Sequence, residues 1–220
     1  MINPHFLVIS LGNPLPAYAT LHSAGHFVIR GLAQVLRQPE WRERRLGRSR
    51  TCLVSQGTKY TLVQSPSLMN RSGDFALGAW KDMCDKHDPS SLGLVILHDE
   101  LEKSLGNVGL VPWTRSARGH NGVKDVLNRI KVLRWPTSHF SRIAVGIGRP
   151  PERDQETVIK YVMKPVSPET RGVLEDVAPF EVVRALARNE ANWKRTKHED
   201  RNEGEWSLVK HDGDRNERPG

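Results

Sequence analysis

Short apolar runs that end in polar loops alternate along the chain with stripes of apolar residues at helical spacing. Continuous runs of strand formers are typical of strands covered on both faces, and runs broken by turn residues are typical of hairpins. On this basis strands are predicted at 6–10, 51–56, 59–64, 92–97, 108–113 and 143–147. Gly57-Thr58 separates the second and third runs, which predicts an antiparallel hairpin there.

Amphipathic stripes follow several of these strands and predict helices. Ser23 is a candidate cap for the first helix, because Val28, Leu32 and Val35 then recur on one face. Further helices are predicted from Ser72, after Gly122, over 155–163 and from Ser167-Pro168. Strands that alternate with helices indicate an open α/β sheet, and segment 41–50, with five arginines against one glutamate, is interpreted as an exposed basic connection.

The apolar pattern stops near Trp193, and this divides the chain. Residues 195–220 contain six Lys or Arg and seven Asp or Glu, so they are predicted to form a polar, disordered tail. The whole chain of 220 residues carries +8, and the tail accounts for −1 of it, which leaves +9 on one domain of residues 1–194. A basic folded part favours an acidic partner such as nucleic acid or a membrane surface.

Several classes of protein are excluded at this stage. The longest purely apolar runs, such as 94–97, are far shorter than the roughly 20 residues that cross a bilayer. The N-terminus has neither a secretory pattern nor an organellar presequence, so we expect a cytoplasmic protein. Cys52 and Cys84 form no CxxC pair, which argues against a disulfide scaffold and a structural zinc site.

Polar side chains follow the predicted strands at positions where α/β sheets bind ligands. They are Asn13, His22, Asn70, Asp99 and Asn121. One imidazole, one carboxylate and three carboxamides can activate water, orient the imidazole and hold a carbonyl group. No nucleophilic serine or cysteine stands out.

Other site types have weaker support. His22 and His26 have i, i+4 spacing but no nearby third metal ligand, so no metal is expected. Gly146-Ile147-Gly148 lacks the GK[ST] of a phosphate loop, and Ser72-Gly73 lacks the first glycine of a GxSxG elbow. No cofactor is expected.

Five motifs follow one another along the chain, at 6–14 with 18 and 20–25, then at 67–73, 98–102, 119–122 and 142–150. Together they resemble the motifs of the bacterial-type peptidyl-tRNA hydrolases, and the likeness covers about residues 5–190. The resemblance implies an α/β fold, a single domain with a twisted mixed β-sheet flanked by helices. It also implies hydrolysis of the ester between a peptide and the 3′-terminal ribose of tRNA, which frees the tRNA for reuse.

The resemblance assigns roles by position. His22 matches the general base and Asp99 the acid that orients it, while Asn13, Asn70 and Asn121 match carboxamides that position substrate and water. Tyr18 and Leu68 match positions that line the peptide and terminal-nucleotide site, and both could equally be packing residues. Ser23 and the stretch 116–122 look closer to eukaryotic members than to bacterial ones.

One departure concerns tRNA binding. The lysine and arginine with which bacterial members clamp the tRNA 5′-phosphate align near Val111 and at Ala144. We therefore expect Arg115, Arg118 and Lys124, close in sequence to Asn121, to meet acceptor-stem phosphates.

Two other functions stay open. One is a catalytically silent relative that binds RNA in splicing or processing, and the other is an esterase for small substrates. The expected partner is peptidyl-tRNA, through its acceptor stem and terminal nucleotides, and not a membrane. The protein is expected to be a monomer in the cytoplasm or, alternatively, the mitochondrion.

Overall fold

The computed structural model describes residues 3–47 and 50–213, which form a seven-stranded mixed sheet with helices on both faces. The strands are β1 (His5–Ser10), β2 (Arg42–Leu46), β3 (Arg50–Gln56), β4 (Tyr60–Gln64), β5 (Leu92–Glu100), β6 (Val108–Pro112) and β7 (His139–Gly146). Their order across the sheet is β2-β3-β4-β1-β5-β7-β6. The four central strands are parallel, whereas β2, β3 and β6 add antiparallel pairs at the two sides.

Helices cover both faces of this sheet. They are α1 (Ala24–Val35), α2 (Ser72–Cys84), α3 (Asn121–Arg129), α4 (Gln155–Val162), α5 (Pro168–Gly172) and α6 (Ala178–Gly213), with a π-helical turn at Val173–Val177 between the last two. Asp154 and Ser167 cap α4 and α5 through their side chains, as their sequence positions indicate.

The hydrophobic core has two layers, one on each face of the sheet. Phe6 and Val8 of β1 point to the layer that contains α1 and α6, and Leu7 and Ile9 point to the layer that contains α2 and α3. Because successive strand residues point to opposite faces, a strand buried on both faces must be apolar throughout. This explains the continuous apolar runs in the sequence.

The predicted fold class is confirmed, and each predicted strand is present within a few residues of its expected bounds. The interpretation of 41–50 as a connection was wrong, because Arg42–Leu46 forms β2 and pairs with β3 along the outer side of the sheet. Four of its five residues are exposed, and a strand with one open edge tolerates charges that a central strand would not.

Helix α6 passes the predicted domain boundary at residue 194 and ends at Gly213. The helix end therefore does not coincide with the loss of the apolar pattern near Trp193. The assignment of 195–220 as a separate tail stays a prediction, and residues 214–220 lie outside the described residues. Within the part of the chain that the structure describes, no helix combines the length and apolarity needed to span a membrane.

Candidate active site

The central parallel strands end at one edge of the sheet, and this edge collects the predicted site residues. Asn13 follows β1, Asp99 lies near the end of β5, and the turn Met69–Arg71 follows β4. His22 lies in the 3₁₀ turn Leu21–Ser23, directly before α1. Residues far apart in sequence therefore meet because parallel strands present their carboxyl ends together.

Asp99 is the centre of a buried hydrogen-bonded cluster. His22 Nδ1 lies 3.1 Å and 3.0 Å from the two carboxylate oxygens of Asp99, and His120 Nε2 lies 2.9 Å from Oδ1. The Asp99 side chain is 3% exposed, against 15% for His22 and 10% for His120. The predicted His22–Asp99 pair is thus formed, with a second imidazole on the same carboxylate.

Hydrogen-bond partners fix the tautomers of both imidazoles. His120 is the N-cap residue of α3, and its Nδ1 accepts a hydrogen bond of 3.2 Å from the Val123 N–H, so its Nε2 carries the proton that it donates to Asp99. A carboxylate only accepts, so His22 donates through Nδ1–H. Nε2 of His22 has no hydrogen-bond partner among the described residues and is left with a lone pair.

The electrostatics of the pair follow from this geometry. Burial raises the pKa of Asp99, but attraction to His22 and His120 and their hydrogen bonds outweigh it and hold that pKa well below its usual range. Burial lowers the pKa of His22, whereas the charge of Asp99 and its hydrogen bond raise it, and the net result is a raised pKa. His22 is therefore a base strengthened by its carboxylate.

His98 adjoins the cluster and bonds to the backbone of Asp99, not to its carboxylate. Its Nδ1 donates to the Asp99 carbonyl oxygen at 2.7 Å, and its ring meets the His120 ring edge-on at 5.1 Å. Burial, with the neighbouring His120, lowers the pKa of His98 to about 3, so it remains neutral at physiological pH. His98 holds the end of β5 and brings no charge into the cluster.

The side chain of Asn13 is locked by the loop that follows β4. Its Oδ1 accepts from the Met69 N–H at 2.9 Å, which turns the amide NH₂ away as a donor. The Asn13 N–H donates to Ser23 Oγ at 3.0 Å. Ser23 does precede α1, as predicted, but its hydroxyl contacts this loop and makes no side-chain cap bond to the helix.

The other two carboxamides lie on elements that meet at Met69. Asn70 is in the turn Met69–Arg71 and Asn121 is the first residue of α3. A Cβ on Gly122 would lie 2.3 Å from Met69 Sδ, so only a glycine lets α3 close on this turn. Both carboxamides are exposed and have no side-chain hydrogen bond among the described residues, which leaves them available for a ligand.

Asp99, His22 and His120 also have the residue types of a metal site. Their N···O separations of 2.9–3.1 Å are hydrogen-bond lengths, and both facing nitrogens carry protons rather than lone pairs. His26, considered with His22 for a metal, bonds to Ser10 instead. The geometry supports a proton-transfer cluster.

The sequence of this chain is similar to that of enzymes from one family. The family model "Peptidyl-tRNA hydrolase" matches residues 7–204. The peptidyl-tRNA hydrolase of Aquifex aeolicus is 32% identical over 183 residues, which cover 83% of this chain and 88% of the relative. That of Haemophilus influenzae is 33% identical over 175 residues, covering 78% and 83%.

This chain belongs to the peptidyl-tRNA hydrolase family. It is accordingly an enzyme that hydrolyses the ester of peptidyl-tRNA. The crystal structure of the Acinetobacter baumannii peptidyl-tRNA hydrolase shares the fold, with a TM-score of 0.64 over 89% of this chain and 93% of that one at 21% identity. The relatives named here are bacterial, and the expected likeness to eukaryotic members stays a prediction.

Tyr18 and Leu68 are not part of the hydrogen-bonded cluster. Leu68 is half exposed beside Met69. Tyr18 stacks on His26 with ring centroids 5.7 Å apart, and burial raises its pKa. With Asn13, Tyr18 lines a neighbouring cavity of about 220 Å³, which also includes Gln64.

His26 is a second histidine of the carboxyl edge, and it is fully buried. Its Nδ1 lies 2.8 Å from Ser10 Oγ, and burial, with nearby Arg30, lowers its pKa to about 3. A Cβ on Gly12 would lie 2.4 Å from His26 Cδ2, so the imidazole occupies the space that a side chain at position 12 would need.

The expected tRNA-binding residues lie on the loop before α3 and on its first turn. Arg115, Arg118 and Lys124 are all exposed. Buried Arg142 donates to the carbonyl oxygens of Pro112 and Arg115 and so fixes the start of this loop.

Val111 and Ala144, near and at which we expect the bacterial clamp residues to align, offer no site for a phosphate. Val111 and Ala144 are both buried on the adjacent strands β6 and β7. Neither position carries a cation.

Sequence reasoning missed the roles of His98 and His120, although both lie in the quoted motifs. The available signal was position, since His98 adjoins Asp99 and His120 directly precedes a predicted helix, where a side-chain acceptor caps the first turn. Only tertiary structure brings His120 to the carboxylate of Asp99 and the ring of His98 against that of His120.

Proposed function

We propose that His22 is the general base of the esterase reaction and that Asp99 orients it. The observation that carries this proposal is the bond from His22 Nδ1 to both oxygens of a carboxylate that is 3% exposed, with Nε2 left free. As a water oxygen attacks the ester carbonyl carbon, Nε2 takes the proton of that water. The imidazolium then returns a proton to the ribose oxygen as the ester C–O bond breaks, which yields a peptide acid and free tRNA.

The carboxamides are proposed to hold the reacting ester. The NH₂ of Asn13 is oriented by the Met69 N–H and is suited to donate to a substrate carbonyl. Asn70 lies in the turn Met69–Arg71 and Asn121 begins the helix packed on it, and within the described part of the chain neither amide has a side-chain hydrogen bond. Donors fixed in advance stabilise the negative charge that develops on the carbonyl oxygen.

Substrate contacts outside the cluster form the next part of the proposal. Tyr18 and Leu68 are proposed to line the peptide and terminal-nucleotide site, and exposed Arg115, Arg118 and Lys124 to bind acceptor-stem phosphates. Replacement of Arg115 and Arg118 by Ala is expected to raise the KM for full-length tRNA substrate and to leave cleavage of a minimal blocked nucleotide ester unchanged. An unchanged KM would place the contact elsewhere.

The test of the function is cleavage of an N-blocked aminoacyl-tRNA, with release of the blocked amino acid measured as a function of pH. We expect turnover to rise with pH as His22 loses its proton, with a midpoint above the ordinary histidine pKa of 6.5. Binding of the tRNA without cleavage would favour the silent RNA-binding relative. Cleavage of small esters at salt-independent rates, with no preference for tRNA, would favour the general esterase.

The remaining expectations are those of assembly and location. We propose that the enzyme acts as a monomer in the cytoplasm, with the mitochondrion as the alternative. Sedimentation analysis of the purified protein and imaging of the tagged full chain test these two points.

A further inference from the structure

The outer edge of the sheet carries an excess of arginine that the active site does not use. Arg42, Arg44 and Arg45 are exposed on β2, and Arg50 is exposed at the start of β3. Among the described residues none of these four takes part in an ion pair. We refer to them as the β2–β3 arginine surface.

The strand register places this surface at the catalytic edge of the sheet. Leu53 of β3 pairs with Gln64 at the end of β4, which is paired in turn with Ser10 at the end of β1. Arg44 and Arg45 pair with Cys52 and Thr51, which precede Leu53 in the antiparallel strand. The backbone of Arg44, Arg45 and Arg50 therefore lies beyond the level at which the central strands end, at the edge of the sheet where His22 and Asp99 lie.

The lateral distance follows from the strand order. β2 is three strands from β1 and four from β5, which carries Asp99. At about 4.8 Å between neighbouring strands, the axis of β2 lies roughly 14 Å from the axis of β1 and roughly 19 Å from the axis of β5. It flanks the site on the side opposite to β6, whose following loop carries Arg115 and Arg118.

Protection of an open edge against pairing with another sheet is the simpler explanation for charges here. Charge of either sign gives that protection, but the described residues of this edge include four arginines and one acid, Glu43. Arg44 and Arg45 also line a hollow of about 220 Å³ that has no acidic side chain in its lining. The hollow extends along the α2 side of the outer strands to Gln56, Thr61 and Lys86, near the start of β4. Concentrated positive charge facing a hollow suits a polyanion, and arginine binds phosphate oxygens in pairs.

We propose that the β2–β3 arginine surface binds backbone phosphates of tRNA while the ester lies at His22. The inference rests on the proposed function, because it adds a second phosphate contact to the same substrate. The ligand is the ribose-phosphate chain, so the contact contributes affinity for every tRNA and no preference among peptides.

The experiment compares full-length and minimal substrates. Arg44→Gln with Arg45→Gln is expected to raise the KM for N-blocked aminoacyl-tRNA about 3- to 10-fold near physiological salt and to leave kcat unchanged. The slope of log affinity for deacylated tRNA against log salt should fall by at most about one unit per lost contact. Cleavage of a minimal blocked nucleotide ester should not change.

Two further variants serve as controls. Arg44→Lys with Arg45→Lys retains the charge and should keep most of the salt slope. Arg188→Gln with Arg195→Gln removes the same charge from exposed positions of α6. This part of α6 lies where the parallel strands begin, at the end of the sheet opposite to their carboxyl ends, and Trp193 stacks there on His139 at the start of β7. The double substitution on α6 should therefore leave the KM for tRNA substrate unchanged.

Three outcomes would overturn the inference while the function stands. They are an unchanged KM and salt slope in the Gln pair, an equal loss in the α6 control, and loss of binding to anionic phospholipid vesicles with tRNA kinetics unchanged. The last result would assign the surface to a membrane. Failure of the unmodified enzyme to cleave any tRNA ester would instead contradict the proposed function.

Discussion

His22 and His26 lie four residues apart at the same edge of the sheet, yet their environments have opposite effects on the imidazole. His22 faces the carboxylate of Asp99, and its pKa is raised despite burial. His26 faces the hydroxyl of Ser10, and burial lowers its pKa to about 3. A hydroxyl satisfies the ring nitrogen without compensating for the loss of water around a positive charge.

The difference shows which part of the site makes a base. Burial alone produces a neutral imidazole that cannot hold the proton it takes from water. A buried carboxylate next to the ring has the opposite effect and raises the pKa of the imidazole, because Coulomb attraction is stronger where water is scarce. In the proposed mechanism the carboxylate is therefore as much a part of the base as the ring.

Removal of the base itself has the largest expected effect. His22→Ala should lower kcat for N-blocked aminoacyl-tRNA about 10²- to 10⁴-fold. Among the described imidazoles of the cluster, His120 has both ring nitrogens in hydrogen bonds and the unpartnered Nε2 of His98 is buried, so neither replaces Nε2 of His22. Binding of deacylated tRNA should be nearly unchanged. The matched change His26→Ala should retain activity in whatever fraction is folded, and parental turnover by His22→Ala would refute the mechanism.

Removal of the carboxylate charge should come next. Asp99→Asn keeps the shape but offers one acceptor oxygen to two imidazole N–H donors, and we expect a loss of about 10²-fold in kcat. Without Asp99 the effect of burial remains, so the pKa of His22 should fall and the acidic limb of the pH–rate profile should move to lower pH. An unmoved limb, or equal losses of activity and thermal stability, would reduce Asp99 to a structural role.

Loss of the hydrogen bond from His120 to Asp99 should lower kcat less than Asp99→Asn does. It should also move the acidic limb of the pH–rate profile in the opposite direction. His120→Asn preserves an N-cap side chain for α3 but removes the donor to Asp99 Oδ1. A less stabilised carboxylate attracts the His22 proton more strongly, so the acidic limb should move to higher pH, with about a 3- to 10-fold loss of kcat at neutral pH. A shift in the same direction as that of Asp99→Asn would contradict this arrangement.

The smallest effect is expected at His26 and concerns stability rather than turnover. The unfolded chain binds a proton at this imidazole below about pH 6.5, whereas the folded protein does so only near pH 3. Stability should therefore fall as pH drops through this window, by about 1.4 kcal/mol per pH unit for each such group.

Urea unfolding between pH 4 and 7 measures this slope. His98 contributes the same dependence, because its pKa is also lowered to about 3. His26→Gln should lower the slope of the unfolding free energy against pH by the contribution of one titrating group, and it should leave the pH dependence of activity unchanged. An identical slope in the variant would show that His26 is already protonated in the folded protein.

Much of the fold follows from local sequence pattern, and the wrong prediction for strand β2 shows where such a pattern is missing. Central strands are buried on both faces, so 92–97 and 143–147 are apolar throughout and easily detected. Strand β2 has no such signal, because its arginines face solvent and only Leu46 is buried. Its conformation is imposed by pairing with β3, which single-sequence periodicity cannot detect.

The candidate site could be predicted as a set of residues but not as a network. The sequence motifs indicated His22 and Asp99, and the structure brings them into contact. His120 was invisible as a partner of Asp99, since 21 residues and a loop separate them. Its role emerges only when the start of α3 packs against Met69, through the bare backbone of Gly122.

The contact between Gly12 and His26 constrains how this protein can change over time. The ring is fully buried and tied to Ser10, so it has no room to yield to a methyl group at position 12. Alanine at position 12 becomes acceptable only after His26 has been replaced by a smaller residue, so the order of the two substitutions matters. In homologous proteins, a residue larger than glycine at position 12 should therefore occur together with a residue smaller than histidine at position 26. Residue 12 adjoins Asn13, so the history of this buried pair also limits the loop that presents the carboxamide of Asn13, which we propose to hold the substrate.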